Sequence, residues 1–211
     1  MLEHVRQMSG DVLRPDQVYL DDTDQYWGHI NRFDKLERLQ YFREPGYPSW
    51  DSFAAGHWGE ALQIMRQDRL AVEKEFAEDS RLGLNSYRVR VVELPVTPYL
   101  QWELHELKAR AECGEGIRVV EPEAVARYET STVVPELIFM GTLAMYEICY
   151  DDTGTRLGGR KFTDPELIEQ CLSEVHALYD HGEDLLMFFE REIAPLPPPI
   201  IDPEFTSSSG S

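Results

Sequence analysis

Between residues 87 and 120, the order of apolar and polar positions predicts a strand, a helix and a second strand. Residues 87–92 form a short β-branched run with basic side chains alternating in it, which is typical of a strand. Thr97 supplies a hydroxyl N-cap, and Pro98 suits the first helical position because no backbone N–H is needed there. An apolar stripe then follows at helical spacing: Leu100, Leu104, Leu107 and Ala111. The short joints between these elements indicate a crossover unit with parallel strands.

The rest of the pattern predicts further helices and a meander of strands. The helices are predicted at residues 30–42, 57–82, 164–179 and 183–193. For the first of them the signal is a set of large apolar residues at helical spacing: Phe33, Leu36, Leu39 and Phe42. The strands are predicted at residues 137–141, 143–150 and 156–162, where turn residues separate short runs. A meander that follows a crossover indicates a mixed sheet.

These elements predict a single α/β domain of the mixed α+β kind. Its mixed sheet is expected to have about four or five strands, with the crossover unit and flanking helices. The prolines and glycine of residues 45–48 predict a boundary. Residues 1–44 are therefore expected to be an N-terminal extension with one amphipathic helix, and residues 45–195 the α/β core. Residues 196–211 are expected to be a Pro-rich segment that becomes disordered from residue 206 onward.

Composition narrows the possible partners and the compartment. The 211 residues carry a formal net charge of −19, which disfavours direct binding to nucleic acid or to an anionic membrane and suits a basic protein partner. Three cysteines with no CxxC pair are typical of a reducing cytosol rather than of a disulfide framework or a structural zinc site. Without a signal peptide or an apolar run of membrane length, the protein is expected to be cytoplasmic. Its oligomeric state is left open.

Three arginines of the crossover unit form the first candidate site. Arg88 and Arg90 belong to the first predicted strand and Arg118 to the second. If the strands pair, their guanidinium groups share one face of the sheet and form a cationic patch for an anionic ligand or an acidic partner. The alternative is that they pair internally with the surplus Glu and Asp residues.

A second candidate site lies on the predicted helix 98–112, where Glu103, His105 and Glu106 gather polar chemistry beside Trp102. Glu103 and Glu106 share a helical face and are suited to acid–base work or to holding a cation. A small-molecule pocket at this helix is the functional interpretation. The alternative is a solvated charged face opposite the leucine stripe.

The remaining histidines and cysteines do not indicate a metal site or a catalytic residue. His176 and Asp180 stand four residues apart, but the surrounding sequence lacks the paired spacings of known zinc motifs. Cys113 is expected at a helix C-terminus, where the dipole raises rather than lowers a thiol pKa. We therefore assign no metal ligand, no catalytic residue and no cofactor.

Several motifs together resemble a known family. They are VRVV at residues 89–92, TPYLQWEL at 97–104, GEGIRVV at 114–120, YDDTG at 150–154 and FTDPEL at 162–167. The chain resembles, over residues 50–195, the actinobacterial domain of unknown function that is often encoded beside WhiJ-type helix-turn-helix regulators. Since that family has no established reaction, the resemblance implies no catalytic residue. Its gene neighbourhood implies a regulatory role in which a partner binds the DNA.

Three hypotheses follow for function. The first is a non-enzymatic regulatory or interaction protein that acts with a helix-turn-helix transcriptional regulator in an actinobacterium. The second is a small-molecule-binding protein or enzyme of a secondary-metabolite pathway, with a polar pocket on the 98–112 helix. A deep cleft with converging carboxylates and perturbed pKa values would favour the second. The third is an acidic structural subunit, which would show a sizeable exposed apolar patch.

Overall fold

The computed structural model describes residues 1–15, 23–130 and 132–201. The strands are β1 Asp11–Leu13, β2 Arg32–Glu37, β3 Asn85–Val91, β4 Gly116–Val120, β5 Glu136–Met140, β6 Ala144–Tyr150, β7 Arg156–Phe162 and β8 Glu183–Asp184. The helices are α1 Pro48–Ala54, α2 Trp58–Arg81, α3 Pro98–Cys113, α4 Pro122–Val125, α5 Pro165–His181 and α6 Leu185–Phe188. Tight helical turns span Leu2–Gln7 and Ala126–Tyr128, and a wider turn, Phe189–Ile193, continues α6.

The described strands form a single mixed sheet in the order β1-β7-β6-β5-β2-β3-β4-β8. Strands β2, β3 and β4 run parallel, so the predicted crossover of β3, α3 and β4 is confirmed. Strands β5, β6 and β7 form the predicted antiparallel meander. Within the described ranges the sheet has eight strands, so the expectation of four or five was too low. The additional strands are β1, β2 and β8.

The helix predicted at residues 30–42 is wrong, because this segment contains β2. Strand β2 lies in the middle of the sheet, parallel to β3 and antiparallel to β5. Its side chains alternate between faces: Asp34 and Leu36 are buried on one side, while Lys35 and Glu37 point to the other. The expected N-terminal extension therefore supplies a central strand of the sheet.

The predicted helices at 57–82, 98–112 and 164–179 are confirmed as α2, α3 and α5. The Thr97 side chain accepts a hydrogen bond of 3.0 Å from the Leu100 backbone N–H, as an N-cap does. Gly114 ends α3 with φ = 123°, in the region that favours glycine. The helix predicted at 183–193 begins with the short strand β8 and becomes helical only from Leu185.

Helices cover the two faces of the sheet differently. Helix α5 packs on one face in an apolar core that includes Leu36, Val89 and Ile168. Helices α3 and α6 pack on the other face at β4, through a second apolar cluster that includes Leu104 and Val119. On that second face, β2 and β3 present charged side chains instead. The candidate site lies beside these charged side chains of β2 and β3.

The two ends of the chain contribute differently to the fold. Leu2 and Val5 are buried in the apolar core beside α5, and β1 pairs with β7. Of the predicted C-terminal tail, the structure describes residues up to 201, and the Gln101 side chain donates a 2.9 Å hydrogen bond to the Pro197 carbonyl. The predicted disorder from residue 206 onward lies outside the described residues. In the described part of the chain, no helix combines the length and the apolar character needed to span a membrane.

Candidate ligand-binding cleft

A cleft of about 640 Å³ opens beside the charged part of the sheet. Strands β2 and β3 supply its floor and α3 supplies one wall. Its rim is formed by residues 42–47 and the β6–β7 turn, with Pro15 and with Val72 of α2. Four acidic side chains line it: Glu37, Glu44, Glu103 and Glu106. Aromatic walls come from Phe42, Tyr47, Tyr99, Trp102 and Tyr150. The cleft therefore combines apolar surface with polar groups that converge on one space.

Four of the seven residues proposed from the sequence line this cleft: Arg88, Trp102, Glu103 and Glu106. Arg90 lies behind Glu103 and donates to it over 2.8 Å. His105 points away from the cleft, between the rings of Trp58 and Phe189.

The structure corrects the expectation that the three arginines share one face of the sheet. Arg88 and Arg90 do so, but Arg118 pairs in register with Val89 and therefore lies on the α5 face. There its guanidinium stacks over the Tyr179 ring and lies 3.3 Å from Asp184 Oδ2. Side chains alternate along a strand, so the pairing register alone decides which face each arginine occupies.

Arg88 forms the centre of a buried ion network. Its guanidinium donates to Glu37 over 2.6 Å and to Glu115 over 2.8 Å. Arg110 adds a 2.6 Å bond to the other Glu115 oxygen. Burial opposes ionisation of Glu115, but the two arginines lower its pKa to about 2. Arg88 therefore pairs with carboxylates of the chain itself, as in the alternative stated for the cationic patch.

The pKa of Glu103 is shifted in the opposite direction to that of Glu115. Burial raises its pKa to about 7, with a further contribution from the Glu37 charge, although Arg90 opposes the shift. Glu37 lies against Arg88 and Lys35, and despite burial these cations lower its pKa. Burial therefore favours the protonated form of Glu103, while the cations beside Glu37 favour its ionised form.

The Tyr99 hydroxyl lies between two carboxyl groups, 2.5 Å from Glu44 Oε1 and 3.3 Å from Glu103 Oε1. A phenol has one proton and donates it to one carboxylate only. With Tyr99 donating to Glu44, a protonated Glu103 can donate to the phenol oxygen. Burial also raises the pKa of Glu44, with contributions from Glu37 and Glu106. Glu44, Tyr99 and Glu103 therefore form a hydrogen-bonded chain in which burial favours the protonated form of both carboxyls.

Glu106 lies about one turn farther along the same helix wall and is half-buried. The buried Ser49 hydroxyl donates to Glu106 Oε1 over 2.5 Å. Burial raises the pKa of Glu106, and the charge of Asp68 raises it further. Nearby, the indole Nε1 of Trp102 is buried and has no hydrogen-bond partner among the described residues. An unsatisfied buried donor of this kind needs an explanation, such as an acceptor that occupies the cleft.

Comparison with protein families identifies the family of this chain. Residues 21–190 match the family described as a domain of unknown function, DUF6879. The chain belongs to this family. No curated protein and no solved structure matches it. The region shared with DUF6879 begins before β2 and includes all four acidic residues of the cleft.

The other reactive residues of this DUF6879 chain lie apart from the cleft. His176 Nε2 is 3.3 Å from Asp34 Oδ1, on the α5 face of the sheet. Cys171 is buried in the apolar core, where desolvation raises its pKa to about 12. Burial also raises the pKa of Cys113 and of Cys149. Among the described residues, no group of three or more His, Cys, Asp or Glu side chains could hold a metal ion.

Sequence reasoning missed Glu37, Glu44 and Tyr99. For Tyr99 a signal was present, because Tyr99, Glu103, Glu106 and Arg110 follow each other at helical spacing and share one face of α3. Glu37 was hidden by the wrong helix prediction for its segment. Glu44 carries no local signal, since it reaches the cleft only through the fold of residues 42–47.

Proposed function

We propose that this DUF6879 protein binds a small organic molecule in the cleft between the sheet and α3. The observation that carries the proposal is the Glu44–Tyr99–Glu103 chain on the wall of a cleft of about 640 Å³. Pockets for small ligands typically measure about 300–1,000 Å³ and pair aromatic walls with a few convergent polar groups. The cleft has both features.

The electrostatics of the cleft support the same proposal. Carboxyl groups with strongly shifted pKa values cluster at functional sites, because burial there serves binding or proton transfer rather than stability. Glu103 is buried with a pKa of about 7, while Glu37 beside it stays ionised. Apolar side chains at these positions would avoid the desolvation of both charges.

A thermal-shift screen of the full chain tests the proposal. The library contains neutral, cationic and anionic metabolites, and each hit is measured against Glu103→Gln and against Glu169→Gln, an exposed α5 residue. A ligand at about 100 times its Kd stabilises a protein by about 2.7 kcal/mol. We expect hits that raise the Tm of the native chain and of Glu169→Gln, with a smaller shift for Glu103→Gln. A library without hits, or equal shifts in all three proteins, would contradict the proposal.

A regulatory role beside a helix-turn-helix partner, in an actinobacterium, is the second proposal. The net charge of −19 and the exposed acidic side chains of α2, such as Glu60, Glu73 and Glu78, are suited to a basic DNA-binding protein. Its test is a reciprocal pull-down with the regulator encoded beside the gene. Failure to co-purify in either direction at low salt would contradict a direct complex.

A further inference from the structure

The cationic side chains on the floor of the cleft are already paired. Arg88 lies between Glu37 and Glu115, and Arg110 contacts Glu115 and Glu75. Arg90, behind the floor, donates to Glu103. An anionic ligand at this floor would have to break an internal ion pair, which leaves a buried carboxylate without its cation.

Two of the acidic side chains are not paired in this way. Glu44 accepts from the Tyr99 hydroxyl and Glu106 from the Ser49 hydroxyl. Within the described residues, neither carboxyl has a Lys, Arg or His nitrogen inside ion-pair distance. Each is among the groups that raise the pKa of Tyr47, which lines the cleft beside them. Lys35 and Arg110 act on these carboxyls from beyond ion-pair distance, so they weaken the negative potential between Glu44 and Glu106 without pairing with either carboxyl.

Aromatic rings border the same space. Tyr47 packs edge-on against Trp102, with 6.1 Å between ring centroids, and both line the cleft. Tyr47 remains 43% exposed, so its ring is accessible from solvent. Aromatic faces next to carboxylates are the usual means of binding an organic ammonium ion. The indole N–H of Trp102 is a separate feature: it is buried without an acceptor among the described residues, and an ammonium group, which only donates, cannot satisfy it.

We infer that the ligand of this cleft is an organic ammonium ion, bound between Glu44 and Glu106 against the rings of Tyr47 and Trp102. The inference rests on the proposed small-molecule function and specifies the ligand class. A polar oxygen in the ligand would in addition satisfy the indole N–H of Trp102.

A pH dependence follows from the groups around the cleft. A cation favours the ionised forms of Glu44, Glu103 and Glu106, all of which have raised pKa values. Binding therefore releases protons, and affinity increases as the pH rises through about 7. The charged groups that act on these carboxyls are Lys35, Glu37, Asp68, Arg90 and Arg110, together with the hydroxyls of Ser49, Tyr47 and Tyr99. The cleft is also lined by Arg43, Arg88 and Arg156.

A matched series of probes tests the inference on the full chain. The probes are 2-phenylethylamine, the neutral 2-phenylethanol and the anionic 3-phenylpropionate, followed by a set of primary, secondary and quaternary ammonium ions. Binding is measured by titration calorimetry at about pH 6 and about pH 8, on either side of the expected titration. We expect ammonium probes to bind at least about tenfold more tightly than the neutral and anionic probes, and more tightly at the higher pH.

Three variants locate the site. Glu44→Gln and Glu106→Gln keep the shape of the side chain and remove its charge, and each is expected to weaken ammonium binding by about tenfold. Glu169→Gln, on the opposite face of the sheet, is expected to leave binding unchanged. Circular dichroism confirms that each variant is folded.

The outcomes separate the two proposals. If only the alcohol or the carboxylate binds, and Glu103→Gln weakens it, the small-molecule function is supported and the ammonium inference is overturned. Ammonium binding that is unaffected by both Glu44→Gln and Glu106→Gln places the ligand elsewhere and also overturns it. If no ammonium ion binds while other compounds of the metabolite library do, the ligand class is wrong. If nothing binds at all, both proposals fail.

Discussion

At the scale of single residues, the sheet contains buried charged side chains whose desolvation is offset only by the carboxyl groups beside them. Arg88 and Arg90 are almost completely buried in the middle of the sheet. Arg88 is compensated by two carboxylates at 2.6–2.8 Å, and Arg90 donates to the Glu103 carboxyl over 2.8 Å. An ionised side chain that loses its partner in such a place is strongly destabilising, while a solvent-exposed ion pair contributes little.

Replacement of Arg88 by methionine tests this difference. Arg88→Met leaves Glu37 and Glu115 in the sheet without their shared cation, and we expect a loss of roughly 3–5 kcal/mol in the free energy of unfolding. The control is Arg69→Met, which removes an exposed pair with Glu73 and the contact to Glu112 on the surface. Urea denaturation measures both variants. Equal effects would show that Arg88 is not the essential partner of the two carboxylates.

At the scale of elements, α3 supplies one wall of the cleft, and its local sequence fixes both its start and its rotation. Thr97 caps the first turn, and the same hydroxyl donates to the Gln40 carbonyl over 2.7 Å. The leucine stripe then packs against β4, so the face with Tyr99, Glu103 and Glu106 is directed to the cleft. A helix with one apolar face has only one stable orientation on a sheet.

The contribution of the Thr97 cap to the stability of the protein can therefore be tested. We expect Thr97→Ala to lower the free energy of unfolding by about 1–2 kcal/mol, because both hydrogen bonds of the hydroxyl are lost. For a chain of this size, that corresponds to a decrease in Tm of roughly 2–8 °C. Thr163→Ala is the matched control, since Thr163 is exposed and the adjacent Asp164 caps α5 instead. A similar decrease in both variants would argue against the capping role of Thr97.

At the scale of the whole molecule, the shifted carboxyls predict an optimum of stability in mild acid. Burial raises the pKa of Glu103 to about 7. It raises the pKa of Glu136 to about 8, although the Arg38 and Leu39 backbone N–H groups favour its ionised form. The folded state therefore binds more protons than the unfolded state between their ordinary pKa of 4.5 and these values, so stability falls as the pH rises through this window.

Carboxyl groups with lowered pKa values affect the stability of the protein in acid. The pKa of Glu115 is about 2, so its contribution is complete above 4.5 and is lost as the pH falls toward 2. We expect Tm to rise when the pH is lowered from about 8 to about 5, and to fall again in stronger acid. Thermal unfolding across this range measures the profile.

Glu103→Gln serves as the control for this profile. A glutamine cannot ionise, so the variant should match the native chain near pH 5 and lose less stability toward pH 8, with Glu169→Gln as the unchanged reference. A native profile that is flat, or that rises from about pH 5 to about pH 8, would show that Glu103 does not carry the additional proton.

The N-terminal segment shows where local sequence was misleading. Phe33, Leu36, Leu39 and Phe42 have helical spacing, yet residues 32–37 form a strand. Both patterns fit so short a segment, because alternating burial in β2 requires only that Asp34 and Leu36 point to the same side. The pairing with β3 and β5 decided between them, and local spacing contains no information about that pairing.

The sequence alone determined the crossover of β3, α3 and β4, the meander, and the long helices α2 and α5, because caps, turns and apolar spacing act within a few residues. It also placed Trp102, Glu103 and Glu106 on one helix. Only the tertiary structure decided which charges meet. Glu37 and Arg88 are 51 residues apart, and Glu44 and Tyr99 are 55 apart. The pKa shifts and the cleft itself depend on such distant contacts, since charge interactions follow spatial distance and burial rather than order along the chain.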